Sequence, residues 1–99
     1  MLVISGTIQI KPEMRDEAVQ VAVKMQTASQ AEDGCVVYRF YADLEDPNTF
    51  RIFEHWESDA ALKSHFETPH MAEFRQHLPR LVADRGDLLR YEVSNVAKL

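Results

Sequence analysis

A chain of 99 residues makes one domain, 1–99, with room for a single core and little to spare, so oligomerisation is a common supplement. Its apolar fraction of 45 % and charged fraction of 27 % are those of a globular protein, and a net charge of −5 with interspersed signs argues against nucleic acid or an anionic membrane surface as partner. The single cysteine, Cys35, rules out a disulfide within the chain and fits a reducing compartment.

Met1–Gly6 carries neither a basic n-region nor a long apolar run. Neither a signal peptide nor a membrane span is expected there, and cytoplasm is the expected location. Leu2, Ile4, Ile8 and Ile10 alternate with Ser5, Thr7 and Gln9, which predicts a first strand over 2–10. Pro12 suits the first turn of a helix, with Glu13, Asp16 and Glu17 near its positive end. Met14, Ala18, Val21, Met25 and Ala28 then recur at helical spacing, so one amphipathic helix is expected over 12–31, stopped by Asp33-Gly34. Residues 35–44 are rich in β-formers, 45–48 are turn chemistry, and 49–57 read as a third strand paired with the second in a hairpin. Cys35, within the apolar run Cys35–Tyr38, reads as a small buried hydrophobe rather than a reactive thiol.

Ser58 is a candidate N-cap for a helix to about Glu67, and Thr68-Pro69 a second cap for a helix to about Val82. Asp84-Arg85-Gly86 is expected to turn, and 88–96 to form a fourth strand. The order β-α-β-β-α-α-β predicts an α+β ferredoxin-like sandwich: a four-stranded antiparallel sheet with helices on one face. The strands are more apolar than a half-exposed sheet needs, so the other face should meet a second copy.

Phe50, Ile52, Glu54 and Trp56 share one face of the third strand, and that face is the apolar one. Glu54 is the anomaly there: either paired at the rim, or a pocket acid with a raised pKa. His65 follows Leu62 and Ala61 at helical spacing and so faces inward, as a hydrogen-bonded core residue or as a general base. Trp56, Tyr38 and Phe66 would line an aromatic cavity around it, suited to a planar ring or to ordinary packing. His70 and His77 are about 10 Å apart along one helix. No His-x3-His, Cys-x2-Cys or facial-triad spacing occurs, so no metal is expected.

Gly34-Cys35 with Tyr38, then Pro47, Phe50, Glu54-x-Trp56 and His65-x-x-Thr68-x-His70 with Phe74 together resemble the antibiotic biosynthesis monooxygenase (ABM) domain. The likeness spans nearly the whole chain and is nearest to the quinol-monooxygenase-like branch. It implies a dimeric α+β barrel made by two facing sheets. It also implies oxidation of a small quinol- or polyphenol-type aromatic by O2, with no cofactor. On that resemblance His65 is the expected base and Glu54 its orienting or charge-balancing partner. Trp56, Tyr38, Phe66 and Phe74 would hold the ring, and His70 would donate to a substrate oxygen. Haem-degrading relatives want an Asn, a Trp and a ligating His where this chain has Thr7, His65 and Arg75. A branch acting on a phosphorylated carbonyl compound stays open, with Arg39, Arg51 and Arg75 available, as does a non-catalytic binding dimer.

Overall fold

The computed structural model describes all 99 residues. Five strands form one antiparallel sheet: β1 Leu2–Ile10, β2 Cys35–Ala42, β3 Thr49–Trp56, β4 Val82–Arg85 and β5 Leu89–Glu92. Three helices cover one face: α1 Arg15–Gln30, α2 Asp59–Phe66 and α3 Pro69–Leu81. The strand order is β2-β3-β1-β4, with β5 also pairing with β1. This is the α+β ferredoxin-like architecture the sequence predicts. No helix is long and apolar enough to cross a membrane.

Three boundaries differ from expectation. Pro12–Met14 form a short 3-10 turn before α1, because Pro12 at the start leaves its own missing donor harmlessly unpaired. The expected turn at Asp84-Arg85 is strand β4, and the expected strand 88–96 is the short β5, ending at Glu92. Both lie on the same edge of β1, and the link between them crosses β1 closely. A Cβ on Gly86 would sit 2.4 Å from the Thr7 carbonyl oxygen, so only glycine fits there.

Register places Trp56 opposite Leu2, and Glu54 between Tyr38 and Ile4, all on the helix-covered face. Leu2, Met25, Tyr38, Ile52, Trp56 and Leu62 form one core cluster under α1 and α2. Ile10, Ala18, Ala22, Phe50 and Leu81 form a second. The outer edge of β2 is capped from α1: Gln30 Nε2 donates to the Tyr38 carbonyl and Gln26 Oε1 accepts from Phe40 N–H, each at 2.9 Å. That leaves no free template for another strand at those positions. The opposite sheet face is uncovered and carries Val3, Val37, Tyr41, Phe53, Leu89 and Tyr91.

Candidate active site

Local signals fix the α2–α3 corner. The Ser58 hydroxyl accepts from Ala61 N–H, and the Thr68 hydroxyl accepts from Met71 N–H while donating to the His65 carbonyl at 2.8 Å. These caps end α2 and start α3 where the sequence expects. They aim His65 down onto the sheet, with 1 % of its side chain exposed.

Its ring packs against Trp56, Tyr38 and Phe66 at centroid distances of 4.8, 5.3 and 5.8 Å. His65 Nδ1 lies 2.7 Å from Glu32 Oε2, and His70 Nε2 reaches the same oxygen at 2.7 Å. Burial pushes the His65 pKa down, outweighing the opposite pull of Glu32. The ring is therefore neutral at pH 7. Its Nδ1–H donates to Glu32, and Nε2 keeps a lone pair, buried and without a partner.

Glu32 was not expected. It sits in the turn that ends α1, where Asp33-Gly34 reads only as a helix stop. Gly34 has φ +81°, and this left-handed step turns the chain from α1 into β2. No periodicity marks a residue in such a turn, so only the three-dimensional fold brings it to the histidines. The orienting carboxylate of His65 is thus Glu32. The expected pairing of His65 with Glu54 is not formed.

Glu54 is instead hydrogen-bonded by Trp56, whose Nε1–H donates to Oε1 at 2.9 Å. Burial raises its pKa to about 7. The Trp56 bond works against that rise and the Glu32 charge adds to it. Burial also pushes the Tyr38 hydroxyl up, and the Cys35 thiol to about 11, so Cys35 is no nucleophile at neutral pH.

Glu54 lines a cavity of about 240 Å³ between the sheet and α2–α3. Tyr38, Phe40, Phe66, Met71 and Phe74 supply its apolar walls, and the exposed Arg75 and Arg85 also line it. Arg75 lies over the Phe66 ring, 5.7 Å from its centroid. Four of the seven expected site residues, Glu54, Tyr38, Phe66 and Phe74, therefore share one cavity. Trp56 and His65 lie behind its walls, and His70 borders a separate, much smaller pocket beside His77. Arg75 and Arg85 were not among the seven. Glu32, His65 and His70 are also the one group of three potential metal donors whose ligand atoms lie within 4.8 Å of one another.

A ferredoxin-like antiparallel sheet covered on one face by helices, with a buried carboxyl in the wall of a cavity, places the protein among small α+β domains. The chain belongs to the antibiotic biosynthesis monooxygenase family, whose model matches residues 1–77. It is 34 % identical over 94 residues to YcnE of Bacillus subtilis, provisionally named a monooxygenase, covering 95 % of this chain and 99 % of that one. It is also 34 % identical over 98 residues to the uncharacterised protein sll1783 of Synechocystis, covering 99 % of this chain and 67 % of that one. Among solved structures, a protein of Deinococcus radiodurans, provisionally described as an antibiotic biosynthesis monooxygenase, superposes with a TM-score of 0.91. The two are 29 % identical, covering 100 % of this chain and 98 % of that one.

Proposed function

We propose that this protein is a monooxygenase that oxidises a single-ring quinol- or polyphenol-type substrate with O2 and without a resident cofactor. The observation that carries this reading is Glu54, a carboxyl with a pKa of about 7 in the wall of an aromatic cavity. A general base works best when its pKa lies near the working pH, and a phenolic proton needs such a base. The resulting electron-rich anion passes one electron to O2, and the radical pair recombines at a ring carbon. Loss of water then leaves one oxygen atom in the product. The apolar walls keep water from the anion. A cavity of about 240 Å³ falls just below the usual range of ligand sites, roughly 300–1,000 Å³, which favours one ring over a fused system.

His65 is the second candidate for the base. Its Nε2 lone pair has no partner, and Glu32 holds the other nitrogen in the tautomer that leaves Nε2 free. Oxygen uptake with a hydroquinone panel, using metal-free protein, tests both. Glu54→Gln is expected to lower turnover by about 100-fold or more, and to remove the limb of the pH–rate profile near 7. If His65→Gln removes that limb and Glu54→Gln does not, the base is His65. No turnover above both variants rejects the monooxygenase reading.

Arg75 and Arg85 on the same cavity favour a different substrate, a small phosphorylated carbonyl compound that the same base would isomerise without O2. Phosphate esters that raise the melting temperature through Arg75 would support that reading; no shift counts against it. We further propose a homodimer through the uncovered sheet face. Its support is the apolar set on that face. Sedimentation equilibrium showing a monomer at micromolar concentration would reject it.

A further inference from the structure

Glu32, His65 and His70 come from three elements: the turn after α1, the end of α2 and the start of α3. Both histidine nitrogens converge on Glu32 Oε2 at 2.7 Å, and all three donor atoms lie within 4.8 Å of one another. The site is shielded, with side-chain exposures of 13 % for Glu32, 1 % for His65 and 22 % for His70. Sequence spacing conceals it, because no two of the three share a helix.

We propose that Glu32, His65 and His70 bind a divalent first-row transition metal, with zinc as the reference ion. Two imidazoles and one carboxylate suit zinc, whereas calcium and magnesium want oxygen ligands alone. Zinc bonds to such atoms at about 2.0–2.1 Å, so tetrahedral ligands stand about 3.3 Å apart. The two 2.7 Å edges must open by about 0.6 Å, and the third, within 4.8 Å, must close by at most about 1.5 Å. Rotation of the partly exposed Glu32 and His70 side chains can supply this, with His65 locked in the core as the fixed point. Glu32 also lines an open surface notch with Ser58, Ser64 and Thr68, which gives an ion a path from solvent. Three protein ligands leave a fourth position for water.

Binding would shift the single N–H proton of each neutral imidazole, now directed at Glu32, to that ring's other nitrogen. With the metal on Nδ1 that proton sits on Nε2, so a loaded site silences His65 as a base. That consequence rests on the second reading of the base given above; the binding itself does not.

Chelator-treated protein titrated with zinc chloride by calorimetry tests the site. One ion per chain is expected, with ring-nitrogen NMR shifts of both His65 and His70 moving on addition. Glu32→Gln and His70→Ala, both away from the tightest core, should each weaken binding by about 100-fold. His77→Ala on the α3 surface should leave it unchanged. The proposal is overturned by the absence of saturable binding, by binding that survives both ligand substitutions, or by binding that His77→Ala removes. Any of these results leaves the monooxygenase reading standing, because its assay uses metal-free protein.

Discussion

Replacing Glu54 by Gln should change how stability depends on pH. Burial raises the folded-state pKa of Glu54 from an ordinary 4.5 to about 7. Below 4.5 the carboxyl is protonated in both folded and unfolded chains, and its ionisation costs nothing. Above about 7 it is ionised in both, and the folded chain bears the full cost of a buried charge. Between those values stability falls as pH rises, since the folded state binds the extra proton. At 1.36 kcal/mol per pKa unit, the full cost is about 3 kcal/mol. Glu54→Gln has no charge to bury, so relative to wild type it should gain about 3 kcal/mol between pH 4.5 and pH 7.5. Urea denaturation of both proteins across that range, at one fixed protein concentration, measures the difference. Other titrating groups largely cancel in the comparison. A wild-type-minus-variant difference that stays flat with pH would refute the reasoning. It would mean that Glu54 is solvated, and the case for Glu54 as base would fall with it.

Trp56→Phe removes the indole donor that favours the ionised form of Glu54. The Glu54 titration midpoint, read from its carboxyl carbon by NMR, should rise above that of wild type. Gly34→Ala forces a side chain onto φ +81° and sets its Cβ 2.6 Å from the Ala61 Cβ. It should cost about 1–3 kcal/mol in urea, and an unchanged midpoint would contradict that geometry. Glu32→Gln takes away the charge that holds the His65 pKa up and leaves at most a neutral, weaker hydrogen bond. The His65 midpoint should therefore fall, by NMR titration of the ring.

Elements with a strong period or cap chemistry were readable from residues alone. Alternation gave β1 and β3, with Trp56 and Glu54 on the covered face. Ser58 and Thr68 gave the two helix starts, and helical spacing gave an inward His65. The C-terminal strands were misplaced because Asp84, Arg85 and Gly86 look like a turn in isolation. Their conformation is set by pairing with β1, where β4 takes Ile8 and Gln9 as partners. Glu54 and Tyr38 could be placed on the covered face because the strand period fixes it, while Phe74 came from the family resemblance alone, and Trp56 and His65, expected in the same cavity, lie behind its walls. Glu32 could not be placed, since its position depends on a left-handed glycine and a long-range contact 33 residues away. Arg75 was named only as a cation for a phosphorylated substrate, and Arg85 escaped for a related reason. Only the pairing of β4 with β1 brings residue 85 back to the cavity that α3 roofs.

Glu32 and Glu54 stand in different environments, and the charge of the first reaches the second. Glu32 receives two imidazole N–H donors on one oxygen and is partly exposed. Glu54 has one indole donor and an apolar cavity beside it, so its charge is poorly supported. The two are coupled, because the Glu32 charge adds to the rise at Glu54 while holding His65 up. Removing that charge must therefore lower both midpoints together. If Glu32→Gln moves His65 and leaves Glu54 fixed, the carboxylates are screened from each other. The near-neutral pKa of Glu54 would then rest on burial alone, and substrate binding, which completes that burial, would be the step that tunes the base.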